Sequence, residues 1–275
     1  MLLVDVTPRV WERLLAVRQG VGCPCCGRWS PGERAALDLY GPVARRDLGP
    51  VIVAQIGQSL DGRVATVTGD ARDVSGPDGL AHLHRLRALA DAVVIGVRTA
   101  LHDSPRLTVR LCPGKNPARV IVDPHGRLPD DAPALAEDGT RRIVIQAVAR
   151  RRPAGVTAIR LVERDGQLDP AEIAAALREE GFRSLLVEGG GTTIARFLEP
   201  GLLTRLQVSV APLLIGGGRP GLSLPTPIER LSDAIRTELR AFSLGSDVVF
   251  DCGLTAQASA ATRPVHLREF GTSGS

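Results

Sequence analysis

The amino-acid sequence predicts an α/β fold in which a mostly parallel, twisted central sheet is flanked by helices. From Pro50 onward, short apolar runs alternate with amphipathic stretches, which is the pattern of βαβ units. The apolar runs are rich in β-branched residues, which favour strands. Two of the amphipathic stretches begin with residues that cap helices, so the strand and helix assignments support one another.

Ten strands are predicted in the main part of the chain, at residues 51–56, 63–66, 92–95, 119–122, 142–146, 158–162, 184–187, 205–210, 238–242 and 247–251. A helix is predicted after Ser75, with Ser75 as its cap and Asp78 completing a capping box. Its buried stripe would be formed by Leu80, Leu83 and Leu86. A second helix would be capped by Asp169 and would end near Gly181.

The texture of the sequence divides the chain into three parts. Residues 1–49 are expected to be an N-terminal extension of unknown role, with a short helical run at 34–39. Residues 50–254 form the main domain. Residues 255–275 are polar and rich in glycine and serine at their end, so we expect a partly disordered tail.

Composition argues against several functional classes. The net charge is only +4 and aromatic residues make up 3%, which disfavours a surface for nucleic acid. No apolar run is long enough to span a membrane, and the N-terminus lacks the pattern of a secretory signal. We therefore expect a cytoplasmic protein that binds neither nucleic acid nor membrane.

The five cysteines form a poor disulfide framework, because their number is odd and Cys23, Cys25 and Cys26 share one turn. Zinc would need a further cysteine or histidine pair at usable spacing, and none follows. We expect incidental thiols in a reducing compartment and no metal site.

The segment after the strand at 184–187 carries the strongest functional signal. Glu188 is followed by Gly189, Gly190 and Gly191, and then by an amphipathic helix. Backbone amides at a helix start bind anions, so this corner could hold a pyrophosphate. A glycine-rich corner needs no ligand, however, and the spacing differs from the dinucleotide-binding fingerprint, so both interpretations stay open.

Further polar residues follow other strands and suggest a shared cleft. Asp61 lies in an Asp-Gly turn, and the strand at 92–95 enters a second glycine corner with Thr99 and Asp103. Glu188 could accept hydrogen bonds from a heterocycle or could be a solvated charge. Arg87 and Arg110 could bind phosphate or lie at the surface. The helix histidines, His82 and His84, are expected to be surface or packing residues.

Six ordered blocks resemble the reductase domain of bifunctional riboflavin-biosynthesis deaminase/reductases, which belong to the dihydrofolate-reductase-like superfamily. The blocks are Ser59–Ala65, Leu86–Ala88 with Asp91–Ala92, Gly96–Pro105 with Leu107–Arg110, Val122–Asp123, Glu188–Gly190 and Ala211–Gly217, and the similarity covers roughly residues 50–252. The resemblance implies a dihydrofolate-reductase-like fold, NADPH as cofactor and a homodimer. It also implies hydride transfer to ribose C1 of 5-amino-6-(5-phosphoribosylamino)uracil.

The resemblance also assigns roles to individual residues. The catalytic candidates are Glu188 and Asp61. The cofactor-binding candidates are Gln58, Thr99, Asp103, Arg127, Gly189, Gly190, Gly191, Thr192 and Thr193. The substrate-binding candidates are Gln55, Arg87, Leu107, Arg110 and Glu188.

Three departures from the family pattern keep other functions open. Gln55 stands where members commonly carry lysine, Gln58 where they carry alanine, and Asp73 begins a run where they carry tryptophan. Residues 1–49 also stand in place of the deaminase domain often fused upstream. Since a glutamine cannot donate an ionisable proton, either solvent supplies the proton or the substrate differs. The alternatives are a reductase of a pterin or other imine metabolite and a non-catalytic nucleotide-binding protein.

Overall fold

The computed structural model describes residues 1–254, so the tail expected at 255–275 lies outside the described residues. The helices are α1 (Pro8–Arg18), α2 (Pro31–Ala44), α3 (Pro77–Leu89), α4 (Val97–Asp103), α5 (Pro170–Glu179) and α6 (Gly191–Leu198). The first seven strands are β1 (Leu2–Leu3), β2 (Val51–Ser59), β3 (Arg63–Ala65), β4 (Ala92–Gly96), β5 (Ala118–Val122), β6 (Arg142–Gln146) and β7 (Val156–Arg160). The remaining strands are β8 (Glu163–Arg164), β9 (Gln167–Leu168), β10 (Ser184–Val187), β11 (Arg205–Ala211), β12 (Arg219–Pro220), β13 (Glu238–Ser243) and β14 (Val248–Gly253).

A 10-stranded sheet forms the centre of the molecule, in the order β1-β13-β14-β11-β2-β10-β4-β5-β6-β7. Its strand pairs are parallel except for β11 with β14 and β13 with β14. Each predicted strand is present within a few residues of its predicted bounds. The α/β class with a mostly parallel sheet is therefore confirmed.

The sheet buries both of its faces because alternate residues of each strand point to opposite sides. On β2, Ile52, Ala54 and Ile56 belong to an apolar cluster that includes residues of α5 and α6. Val53 points the other way, into a cluster with α1, α2 and α3. The first half of strand β2, from Val51 to Ala54, is therefore a continuous apolar run in the sequence.

The start of α3 differs from the sequence prediction. Gly76, not Ser75, is the N-cap, and no side chain of the cap bonds to the helix. Instead, the Gly76 amide donates to Asp247 Oδ1 (3.0 Å) and the Asp78 amide donates to Ser246 Oγ (3.2 Å). Residues distant in sequence therefore satisfy the free amides of the first turn, which local sequence patterns cannot reveal.

The buried side of α3 also differs from the predicted leucine stripe. Leu86 is fully buried, whereas Leu80 is 39% exposed. His82 and His84 are buried instead, and Tyr40 Oη lies 2.9 Å from His82 Nδ1. The helix contacts α2 through polar as well as apolar residues, and a hydrophobic pattern alone could not show this.

Residues 1–49, expected to be an extension, share the core of the main domain. Strand β1 pairs with β13, and Val10, Leu14, Leu39 and Tyr40 are fully buried in the cluster beneath α3. The carboxylate of Asp91 receives ion pairs from both Arg18 and Arg46. Within the same segment Cys23 and Cys25 form a disulfide, contrary to the expectation of free thiols there, because their spacing brings the two sulfur atoms together.

Candidate active site

The carboxyl ends of four neighbouring strands open into one cavity. Strands β2, β10, β4 and β5 lie side by side, and each contributes residues to its wall, among them Gln55, Glu188, Gly96 and Val122. The cavity has a volume of about 1040 Å³. Ligands of open α/β sheets bind at this edge, so the cavity is the candidate active site.

The glycine turn after β10 lines this cavity, together with Thr192 and Thr193. Gly189 has a φ of 95°, in the left-handed region that favours glycine. The Gly190 amide donates to Thr99 Oγ1 at 3.1 Å, which ties the turn to α4. Helix α6 begins at Gly191, and the first amides of a helix have no partner within it. These donors and the helix dipole form a site suited to an anion.

The three glycines are required for different reasons. A Cβ added at Gly189 would lie 2.8 Å from Thr99 Oγ1, and one added at Gly191 would collide with the Gly221 carbonyl oxygen. Protein packing therefore explains these two glycines. Gly190 is exposed, has a φ of −60°, and an added Cβ would approach no atom closer than 3.6 Å. At Gly190, by contrast, no protein atom fills the space in front of the residue, so this part of the turn is open to the cavity.

A buried ion pair forms another part of the cavity wall. Arg87 Nε donates to Glu188 Oε1 at 2.8 Å, and its second nitrogen donates to Oε2 at 2.7 Å. The side chains are 9% and 5% exposed. Burial alone would lower the pKa of Arg87, but the Glu188 carboxylate raises it above its ordinary value. Two hydrogen bonds therefore fix the orientation of the pair.

Cationic side chains outnumber acidic ones around the cavity. Besides Arg87, its wall includes Arg98, Arg127, Arg196 and Arg219, against Asp73, Asp103 and Glu188. Because Glu188 is already neutralised by Arg87, the remaining balance favours a ligand with several negative charges. A dinucleotide with a pyrophosphate fits this balance together with the free amides at α6.

The loop that carries Arg127 is anchored by a second buried pair. Arg152 donates to Asp123 Oδ2 at 2.7 Å, and both side chains are fully buried. Asp123 also accepts the amides of Arg127 (2.9 Å) and Leu128 (2.8 Å). The position of the Arg127 backbone is thus fixed by charged hydrogen bonds, while its side chain is exposed at the cavity.

Most of the residues singled out from the sequence meet at this cavity. They are Gln55, Arg87, Thr99, Asp103, Leu107, Arg127, Glu188, Gly189, Gly190, Gly191, Thr192 and Thr193. Gln58, Asp61 and Arg110 are not among the lining residues. Arg110 is exposed, its amide donates to His84 Nδ1 at 2.9 Å, and its guanidinium donates to Thr108 Oγ1.

Asp61 has a clear role in holding a loop. Its carboxylate accepts hydrogen bonds from Ser59 Oγ (2.5 Å), the Ile215 amide (3.1 Å) and the Gly216 amide (2.7 Å). These bonds lower the pKa of Asp61 to about 2, with the Ser59 hydroxyl as the largest cause. The residue is ionised at neutral pH and joins the turn after β2 to the segment after β11.

Two residues of the cavity wall have unusual backbone conformations. Leu107 has a φ of 57° and is buried, and Asp73 has a φ of 58°. A left-handed conformation is unfavourable for a side chain such as leucine, at a cost on the order of 1–3 kcal/mol. The surrounding structure holds Leu107 there, so that it forms part of the wall.

Sequence reasoning missed Arg98, His102 and Arg219 in the cavity wall. The first two could have been found, because Arg98 and His102, like Thr99 and Asp103, are four residues apart on α4. The helical spacing places these two pairs next to each other. Arg219 follows the last block of the resemblance and carries no comparable signal.

Comparison with known proteins identifies the family. Residues 50–250 match the RibD C-terminal domain family. The chain belongs to this family. A 2,5-diamino-6-ribosylamino-4(3H)-pyrimidinone 5′-phosphate reductase of Methanothermobacter thermautotrophicus is 33% identical over 213 residues, covering 74% of this chain and 97% of that protein. The riboflavin biosynthesis protein RibD of Escherichia coli is 29% identical over 214 residues, covering 72% of this chain. The match spans 58% of the length of that RibD protein.

Solved structures confirm the fold of this RibD C-terminal domain. A deaminase/5-amino-6-(5-phosphoribosylamino)uracil reductase from Thermotoga maritima has a TM-score of 0.67 at 24% identity, covering 81% of this chain and 62% of that chain. The riboflavin biosynthesis reductase Rib7 of Saccharomyces cerevisiae has a TM-score of 0.59 at 22% identity, covering 76% and 91%. The predicted α/β fold of a riboflavin-biosynthesis reductase domain is confirmed. Within residues 1–254, the helices are too short or too polar to cross a membrane.

Proposed function

We propose that this protein is a reductase of riboflavin biosynthesis that uses NADPH to reduce a ribosylaminopyrimidine 5′-phosphate. The observation that carries the proposal is that one cavity joins the free amides of α6 to the buried Arg87–Glu188 pair. A dinucleotide needs a turn that binds its pyrophosphate, and an amino-substituted heterocycle needs a fixed carboxylate that accepts hydrogen bonds from its N–H groups. The relationship to the archaeal reductase, nearly all of whose length is matched, supports this choice.

The cofactor would be held by groups already in place. Gly190, Gly191 and Thr192 present the start of α6 to the pyrophosphate, and Thr99 holds the turn in position. Arg127, on the loop anchored by Asp123, is the candidate for the 2′-phosphate that distinguishes NADPH from NADH. When bound, the nicotinamide supplies the hydride.

The substrate pyrimidine would be recognised by Glu188. Each of its carboxylate oxygens accepts one hydrogen bond from Arg87 and keeps a further lone pair. Arg87 therefore holds the carboxylate in one orientation, so that Glu188 can accept from N–H groups of the heterocycle without reorganising. Its role is to place the substrate, which is the main task of the protein in hydride transfer.

Gln55 limits the possible sources of the proton that completes the reduction. Its side chain is buried on β2, lines the cavity and lies opposite Gln207 in the register with β11. An amide has no ionisable proton, so Gln55 can orient the substrate but cannot protonate it. In this proposal the proton needed after hydride addition comes from water.

The direct test is NADPH oxidation by the purified full chain, followed by absorbance. We expect turnover with 5-amino-6-(5-phosphoribosylamino)uracil or with its 2,5-diaminopyrimidinone counterpart, and none without a pyrimidine. Replacing Arg127→Ala should raise the KM for NADPH with little effect on NADH, and Arg110→Ala, outside the cavity, is the matched control. Tight NADPH binding without turnover of either pyrimidine would reject the proposal.

A second candidate keeps the fold and cofactor but changes the substrate. It is favoured by Gln55, which stands where the family pattern has lysine, and by the exposed Asp73 in the cavity wall, which stands where the pattern has tryptophan. A pterin or another imine metabolite would then be reduced, and assays with dihydrofolate beside the two pyrimidines separate the candidates.

If the protein instead only binds nucleotides, Gln55→Lys should create little activity. The homodimer and the cytoplasmic location stay predictions.

A further inference from the structure

Three cysteine side chains converge in the loop between α1 and α2, away from the cavity described above. The sulfur atoms of Cys23, Cys25 and Cys26 lie within 4.8 Å of one another. Cys26 Sγ is 2.8 Å from Cys23 Sγ and 3.9 Å from Cys25 Sγ. The disulfide between Cys23 and Cys25 uses only two of these sulfur atoms, and the third, that of Cys26, remains a free thiol beside them.

The loop is held in this shape by its neighbours. Gly22 and Gly27 have φ values of 76° and 120°, which reverse the chain on either side of the cysteines. Trp29 Nε1 donates to the Cys26 carbonyl oxygen at 3.1 Å, and a Cβ added at Gly27 would lie 3.1 Å from the Trp29 ring. The convergence of the sulfur atoms is therefore built into a packed turn.

Charged side chains, three of them basic, line a hollow beside the cysteine loop. A hollow of about 610 Å³ beside the loop is lined by Arg9, Arg13 and Arg28, with Glu12 in the same wall. Arg9 also forms an ion pair with Glu33. The guanidinium groups of Arg9 and Arg13 lie 4.9 and 6.0 Å from the Trp29 ring centre. The thiolate is the form of cysteine that binds metal.

We propose that the reduced forms of Cys23, Cys25 and Cys26 together bind one thiophilic d10 cation, Cu(I) or Zn²⁺, through three thiolates. Thiolate ligands select these ions, and among the residues that the structure describes no fourth histidine, cysteine or carboxylate joins the group. The fourth position would be open, or taken by water in the case of zinc. The spacing in the sequence argued against a four-ligand zinc site, whereas the structure points to a three-ligand site.

Binding requires that the Cys23–Cys25 disulfide be opened first. A dithiol reduces it by exchange, in which the dithiol becomes a cyclic disulfide and the two cysteines return as thiols. Each thiol that then binds the cation releases its proton, so that binding is accompanied by proton release and is tighter at higher pH. The site therefore exists only in the reduced protein.

The test uses the full chain, reduced with a dithiol and freed of it without oxygen, then titrated separately with Zn²⁺ and with Cu(I). We expect one equivalent of at least one of these ions per chain. Trp29 is one of two tryptophans and touches the loop, so its fluorescence should change on binding. Cys26→Ser should weaken binding by more than about 100-fold, since the loss of a mere supporting group costs about 10–100-fold.

Matched variants keep the result interpretable. Cys112→Ser removes a cysteine outside the loop and should leave both stoichiometry and affinity unchanged. Trp29→Phe should bind the ion but lose the fluorescence change. The proposal is overturned if the reduced chain binds neither ion, or if Cys26→Ser binds as tightly as the unaltered chain. It is also overturned if Cys112→Ser loses binding to the same extent as Cys26→Ser.

Discussion

The pair formed by Arg87 and Glu188 predicts how stability and function divide in this site. Both side chains are at least nine-tenths buried, and two hydrogen bonds of 2.7 and 2.8 Å join them. Replacing Glu188→Gln removes the charge that compensates the buried guanidinium, but it keeps the shape of the side chain. Breaking one partner of such a pair typically costs about 3–5 kcal/mol, because an uncompensated charge remains in the interior.

A double variant separates the charge from the packing. Arg87→Met combined with Glu188→Leu removes both charges and leaves apolar groups of similar volume, an exchange that is often neutral or stabilising. We expect each single variant to lose about 3–5 kcal/mol, a fall in Tm on the order of 6–20 °C, and the double variant to recover most of it. Urea unfolding followed by circular dichroism measures these differences.

Small stability losses in the single variants would contradict the burial of this pair. If both single variants lose less than about 1 kcal/mol, the pair is open to water and worth no more than a surface ion pair. The double variant also tests function, because Glu188 would still be missing from the substrate site. A stable double variant should therefore show no reductase activity, and a double variant with full activity would show that Glu188 does not bind the pyrimidine.

Three further predictions concern other parts of the fold. Burial lowers the pKa of His82 from 6.5 to about 3, so the unfolded chain takes up a proton that the folded chain does not. The stability that neutral His82 contributes is complete above pH 6.5 and falls towards pH 3 by up to about 1.4 kcal/mol per pH unit. Urea unfolding should therefore show a weaker dependence of the free energy of unfolding on pH in His82→Gln than in the unaltered chain. Gly191→Ala forces a methyl group against the Gly221 carbonyl oxygen and should lower the free energy of unfolding by about 1–3 kcal/mol, measured in urea. Gly190→Ala should be nearly neutral, and equal losses in the two variants would contradict the geometry. Deleting residues 1–49 exposes the core cluster beneath α3, so residues 50–275 should lack cooperative thermal unfolding, and a sharp transition would refute the shared core.

The sequence predicted the strands well for a physical reason. A strand that is buried on both faces is a short apolar run bounded by polar residues, as in Ser184–Val187 and Arg142–Gln146, both found at their predicted bounds. Helix α5 was equally clear, because Asp169 accepts the Ala171 amide and Gly181 lies just beyond its end with a φ of 90°. These signals are local, and nothing distant in sequence alters them.

The failures arose where distant residues replace local ones. Ser75 has the right chemistry for a cap, yet Asp247 and Ser246 satisfy the amides at the start of α3. The same effect moved His82 into the interior, where Tyr40 of the N-terminal segment meets it. The expected separation of residues 1–49 hid this partner, so a polar side chain with a buried role was assigned to the surface or to general packing.

The sequence indicates which residues lie at the edge of the sheet, but it does not show which of them already have hydrogen-bond partners within the protein. The carboxyl ends of parallel strands share one edge, so Thr99 and Glu188 could be brought together from order alone. Asp61 and Arg110 also follow strands, but Asp61 is engaged by the Ile215 and Gly216 amides and Arg110 is exposed outside the cavity. A charge after a strand is therefore able to meet a ligand only when its backbone-amide or salt-bridge partners leave it a free acceptor position. Glu188 lies between these cases, since Arg87 binds both of its oxygens and leaves each one able to accept again.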